Sequence, residues 1–209
     1  MRSYLFTVVA LVACGDVDKP RHLADAPPPP VDAAPDAPID APTDAPAVAC
    51  TYVSAMATSP IATYTLVGGA FQSFGCAPVD PTYWLAGSGM SLTVTFASPQ
   101  ARPSIRVWGM NTDDTAAVMV NGAAYALTAN SASLAPKVVC GLSPGPNGVA
   151  FVNGTLAGAN TPGEGNYSYQ DVTIEQSNVT SIQLTGLTGA GWGIAGASVG
   201  NCSTGPGPQ

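Results

Sequence analysis

The chain has 209 residues, enough for one ordinary domain with appendages. Charged residues make up 9%, against roughly 25% in a typical globular protein, and the formal net charge is −7. Six scattered Lys and Arg exclude a nucleic-acid partner, because phosphate binding needs clustered basic side chains.

The first element is apolar. Arg2 supplies a positive start, and Tyr4–Ala13 (YLFTVVALVA) runs ten residues without a charge. A bilayer-spanning helix needs about 20 such residues. Ten is the length of a signal-peptide h-region, so 1–13 is expected to be a signal peptide.

The next stretch obeys different rules. Seven of the thirteen acids precede residue 50, as does the only histidine, His22. Residues 26–47 read APPPPVDAAPDAPIDAPTDAPA, with Asp at 32, 36, 40 and 44. Proline fixes φ and lacks an N–H, so helix and sheet are both disfavoured. Repelling Asp resist collapse. Residues 14–49 are expected to be a disordered Pro-rich linker, able to reach on the order of 100 Å if extended.

From Cys50 to the C-terminus the pattern has period two. Leu92, Val94 and Phe96 alternate with Ser91, Thr93 and Thr95. Arg106 separates Ile105 from Val107, and Val172–Glu175 and Ser181–Leu184 repeat the scheme. Alternation predicts strands with one buried and one wet face. Val118–Leu127 and Phe151–Leu156 read as hairpins, because Asn121-Gly122 and Asn153-Gly154 supply positive φ. Ser131–Ala135 suits one short helical turn. Nine or ten strands with intervening turns predict an all-β domain over 50–209. The expected architecture is an antiparallel two-sheet sandwich, jelly-roll-like, with a closed barrel as the alternative.

Within 50–209, Cys50, Cys76, Cys140 and Cys202 form an even set, read as two disulfides in an exported domain. Three pairings are open. Cys50–Cys202 with Cys76–Cys140 is favoured, since Cys50 precedes the first strand and Cys202 follows the last. No CxxC suggests zinc. The domain has no histidine, which removes Ser-His-Asp and Cys-His mechanisms. Its six acids read as solvated surface groups rather than a hydrolytic pair. The expectation is that the chain is not an enzyme. No cofactor is expected apart from calcium. Trp84, Trp108 and Trp192, in or beside Gly-rich segments, are candidate sugar-stacking residues.

Two resemblances add to this. Leu11-Val12-Ala13-Cys14 resembles the lipobox of bacterial lipoproteins, and the acidic Ala/Pro stretch is similar to the spacers that follow it. The resemblance implies that Cys14 becomes a lipidated first residue carrying acyl chains such as palmitate. It also implies a membrane partner through that anchor, at the outer membrane or cell surface of a bacterial envelope. Trp108–Asp114 followed by Val118–Gly122 resembles a motif of galactose-binding-like and other carbohydrate-binding sandwich modules. That likeness implies Asn111 as a binding residue and Asp113 and Asp114 as calcium ligands. Met119 stands where those modules usually carry an aromatic. The combined expectation is a lipid-anchored surface protein whose domain binds carbohydrate or another surface partner. A structural or adhesive role without a small ligand is the alternative, with a hydrolase as the less favoured third reading.

Overall fold

The computed structural model describes residues 49–76, 79–132, 136–140, 148–161, 167–200 and 202. They fall within the second of two compact units, 44–209. The expected signal peptide, Cys14 and the expected linker as far as residue 48 lie outside the described residues.

The described chain is all β apart from a 3-10 turn at Ala129–Ala132. The strands are β1 (Thr51–Ser54), β2 (Ala62–Val67), β3 (Ala70–Gln72), β4 (Thr82–Leu85) and β5 (Ser91–Gln100). Then come β6 (Ser104–Trp108), β7 (Thr115–Val120), β8 (Ala123–Ala124), β9 (Lys137–Cys140) and β10 (Val149–Val152). The last are β11 (Thr155–Gly158), β12 (Tyr167–Thr173), β13 (Val179–Thr188) and β14 (Trp192–Val199).

They build two antiparallel sheets. One has the order β3-β4-β14-β6-β12-β9, with β1 continuing beyond β4 along the same side of β14. The other has the order β10-β11-β7-β13-β5-β2, with β8 on β7. The four-strand runs β4-β14-β6-β12 and β5-β13-β7-β11 lie opposite one another. From β4 to β7 the chain crosses between sheets at every step, and β11 to β14 retraces the pattern. This is a jelly roll, as the period-two pattern predicted, and not a closed barrel.

The core is what alternation demands. Leu92, Val94, Ile182, Leu184 and Val118 from one sheet meet Ile105, Val107, Val172, Ile194 and Trp192 from the other. At roughly 25 cal/mol per Å² of apolar surface removed from water, these side chains supply the main stabilising term. Both Asn-Gly hairpins form. Asn121 and Gly122 have φ of 52° and 78°, and Asn153 and Gly154 have the same pair of angles. The helical turn expected at Ser131–Ala135 starts two residues earlier, at Ala129, and 133–135 lie outside the described residues.

One tie joins the layers and another closes an edge of the first sheet. The Tyr64 hydroxyl on β2 donates to the Val53 carbonyl at 2.7 Å and accepts from the Ala197 amide at 3.0 Å, so a ring from one sheet stitches β1 to β14 in the other. Cys50 and Cys202 form a disulfide, one of the two expected pairs. Cys76 is also disulfide-bonded. The expected partner, Cys140, has a side chain outside those described.

Candidate functional site

One face of this sandwich departs from the rule that outward residues are wet. In β6, Ser104, Ile105, Arg106, Val107 and Trp108 are all buried. Ile105 and Val107 point into the core, so Ser104, Arg106 and Trp108 point outward and are covered there too. The sequence pattern reads Arg106 as a solvated position. It is 1% exposed.

Register explains the cover. Trp84 on β4, Gly193 on β14, Trp108 on β6 and Tyr169 on β12 lie on one cross-strand rung. The next rung carries Ser54, Gly196, Arg106 and Asp171. The third carries Tyr52, Ser198, Ser104 and Thr173. The central strand β14 thus offers glycine where its neighbours offer large side chains. A Cβ on Gly193 would overlap the Trp108 Nε1 and meet the Thr82 Oγ1 at 2.6 Å and the Trp108 Cδ1 at 2.7 Å. One on Gly196 would meet the Tyr52 hydroxyl at 2.8 Å. Side chains reach across β14 only because these two residues have none.

On the first rung the rings pack together. The Trp84 and Trp108 centroids are 5.8 Å apart at 62°, an edge-to-face arrangement that suits the ring quadrupoles. The Trp108 indole N–H donates to Thr82 Oγ1 at 2.8 Å, satisfying a buried donor. Phe74 completes the cluster, 5.0 Å from Trp84 and 5.1 Å from Trp108, and stays 43% exposed. Trp84 is half-buried beside it.

Phe74 is held by a carboxylate. Asp80 accepts from the Ser73 hydroxyl at 3.0 Å, the Phe74 amide at 2.9 Å and the Cys76 amide at 2.9 Å. Desolvation opposes ionisation, yet these donors together outweigh it and hold the Asp80 carboxyl below its ordinary value of 3.8. A lowered folded value means the latch contributes fully above that ordinary value and is lost as pH falls through the lowered one. Tryptophan emission should therefore change on acidification as Phe74 lifts from Trp84. In Asp80→Asn that acid-side step should be absent, and an unchanged step would disprove the assignment.

The second rung is polar inside an apolar setting. Arg106 donates from Nε and Nη2 to the two oxygens of Asp171 at 2.8 and 2.9 Å, the bidentate form. Its guanidinium lies 4.6 Å from the Tyr52 ring centre and 4.5 Å from that of Tyr169, stacked between two faces. Among the described residues its Nη1 meets no hydrogen-bond acceptor. Burial works against the charge, but the Asp171 contact prevails and the Arg106 pKa is raised. Burial also pushes the Tyr52 phenol well above its usual range.

The structure thus brings together Trp84 and Trp108 of the expected set and separates the rest. Trp192 points the other way, into the core between the sheets. Asn111, Asp113 and Asp114 lie on the loop after β6. Asp114 is fully buried and accepts the Asn111 amide at 2.8 Å and the Gly191 amide at 3.2 Å. Desolvation raises its pKa against the pull of those donors. Both its oxygens are engaged by the fold, while Asp113 faces solvent. Among the described residues, no three His, Cys, Asp or Glu side chains come together to hold a metal ion. Phe74, Asp80, Arg106 and Asp171 escape sequence reasoning. Their one signal is the glycine pair at outward positions of β14.

No family model and no curated protein matches the sequence. Solved structures do. One is a GH87 alpha-1,3-glucanase catalytic domain in complex with nigerose, with 14% identity and TM-score 0.41. The match covers 76% of this chain and 29% of that one. Another is the catalytic unit of a thermostable GH87 alpha-1,3-glucanase from Streptomyces thermodiastaticus strain HF3-3. It has 16% identity and TM-score 0.37, over 77% of this chain and 27% of that one. The chain therefore spans under a third of the proteins it resembles. These neighbours are catalytic domains, and the expectation that this chain is not an enzyme is withdrawn. The physical reason is plain: glycoside hydrolysis runs on two carboxyl groups and needs no histidine, so the missing histidine excludes nothing there.

Proposed function

We propose that the sandwich binds neutral polysaccharide, and that its contact surface is the Phe74–Trp84 pair on the outer face of the β4-containing sheet. One observation carries the reading: a strongly exposed phenylalanine stands fixed against a half-buried tryptophan, with a carboxylate latching its backbone. Sugar rings present apolar C–H groups, which stack on aromatic faces. A ring already held in place loses little entropy on binding. A chain with only 9% charged residues suits a neutral ligand.

The test is affinity electrophoresis of the full chain against a panel of neutral glucans, mannans and chitin derivatives. Phe74→Ala and Trp84→Ala should each weaken binding about tenfold, roughly 1.4 kcal/mol. A wild-type chain that binds nothing in the panel overturns the reading.

The proposal includes display from a membrane through lipid on Cys14, as the lipobox-like residues suggest. Two or more acyl chains hold stably because each buried methylene contributes about 0.8 kcal/mol. Cys14→Ala should shift the protein from the membrane pellet to the soluble fraction. Retention in the pellet would refute the anchor.

A further inference from the structure

We infer that this platform takes a single twisted chain of sugars rather than a flat crystalline surface, and that Asp80 is the positioning residue that sets its shape. The inference rests on the binding reading above and deepens it. Its basis is the geometry of the two rings. Phe74 and Trp84 stand 5.0 Å apart with their planes inclined by 44°. Rings lying side by side in one plane would need wider spacing and no inclination. The exposed surface is therefore a step: the Phe74 ring above, the indole of Trp84 at its flank.

A crystalline polysaccharide presents many coplanar rings, so it would meet one member of the pair and clear the other. A free chain rotates between successive residues and can lay one sugar on each plane. The step has no freedom to flatten from below. Trp84 rests edge-to-face on Trp108, which is 1% exposed and anchored to Thr82.

From above, the inclination is set by the backbone at Phe74. That backbone hangs from Asp80, whose carboxylate takes the amides on either side of Gly75 together with the Ser73 hydroxyl. Phe74 stands between two fixed points: Gln72, paired with Thr82 at the end of β3, and Cys76, 2% exposed and packed into the cluster. Between them the carboxylate controls how the Phe74 ring stands. Asp80 acts through Phe74 and touches no sugar itself.

The experiment compares soluble and particulate forms of the same polymers, cellulose, chitin, mannan and alpha-1,3-glucan, with full-length wild type, Asp80→Asn and Ser73→Ala. Wild type should bind at least one soluble form and show at least fivefold weaker retention on its particulate form. Asp80→Asn should lose at least fivefold on the soluble form. Its tryptophan near-ultraviolet dichroism should change, while its far-ultraviolet spectrum and melting stay those of the folded protein. Ser73→Ala, which removes one of the donors, should fall between them and covers the case in which Asp80→Asn misfolds. Equal or better binding to particles, or soluble binding untouched in both variants, overturns the inference while leaving the binding reading intact. Failure of the wild type to bind any form overturns both.

Discussion

Replacing Arg106 with alanine should cost the fold about 3–5 kcal/mol, because it strands the Asp171 carboxylate against two tyrosines. The pair is bidentate, and the arginine is 1% exposed. Loss of the guanidinium also opens a cavity between Tyr52 and Tyr169, which would no longer share a flat cationic spacer. Equilibrium guanidinium unfolding of the non-reduced protein measures the effect. The double variant Arg106→Leu with Asp171→Leu should recover much of the loss, since removing both partners avoids an orphaned charge. A single-variant cost under about 1 kcal/mol would mean the pair is a bystander. So would a double variant worse than the sum of its parts.

The second large effect is expected at Gly193→Ala. One methyl group there would overlap the Trp108 indole and the Thr82 hydroxyl, neither of which has room to withdraw. Overpacking of this kind costs typically 1–3 kcal/mol. Loss of the Trp108–Thr82 hydrogen bond adds to that, because a buried donor left unpaired costs about 1–3 kcal/mol more. The variant should melt well below wild type and show red-shifted tryptophan emission as Trp108 lifts off the sheet. Gly122→Ala makes a useful control for mere loss of glycine. It sits at φ 78° in an exposed turn where an added Cβ meets nothing. It should cost only the strain of that angle and leave the emission unchanged. Matching spectra for the two variants would refute the close-contact explanation.

The architecture was legible because its signals are local. Ser91–Phe96 alternates apolar and hydroxyl residues, and Asn121-Gly122 and Asn153-Gly154 fix two hairpins through their own backbone preferences. The outer cluster was not, because its cause is non-local. Arg106 between Ile105 and Val107 looks like any wet position until Gly196, ninety residues downstream, is placed beside it by strand pairing. Trp192 and Trp108 look equivalent in sequence, each in a glycine-rich setting. A single strand register sends one into the core and the other onto the outer face. Phe74 gave no signal at all, since it lies outside any strand and owes its place to Asp80 six residues on. At Asp114 the pair of adjacent acids was visible but its burial was not, because the Asn111 and Gly191 amides reach its two oxygens only once β6 and β14 lie together.

The bond between Cys50 and Cys202 has a mechanical consequence. β1 is four residues long and, among the described strands, pairs with one, so a tug on the chain ahead of it would strip it away first. The cross-link diverts that load to the far end of β14, a strand gripped on both sides by other strands. Whatever pulls on the leading segment is resisted by the middle of the sheet, and the fragile border strand is spared.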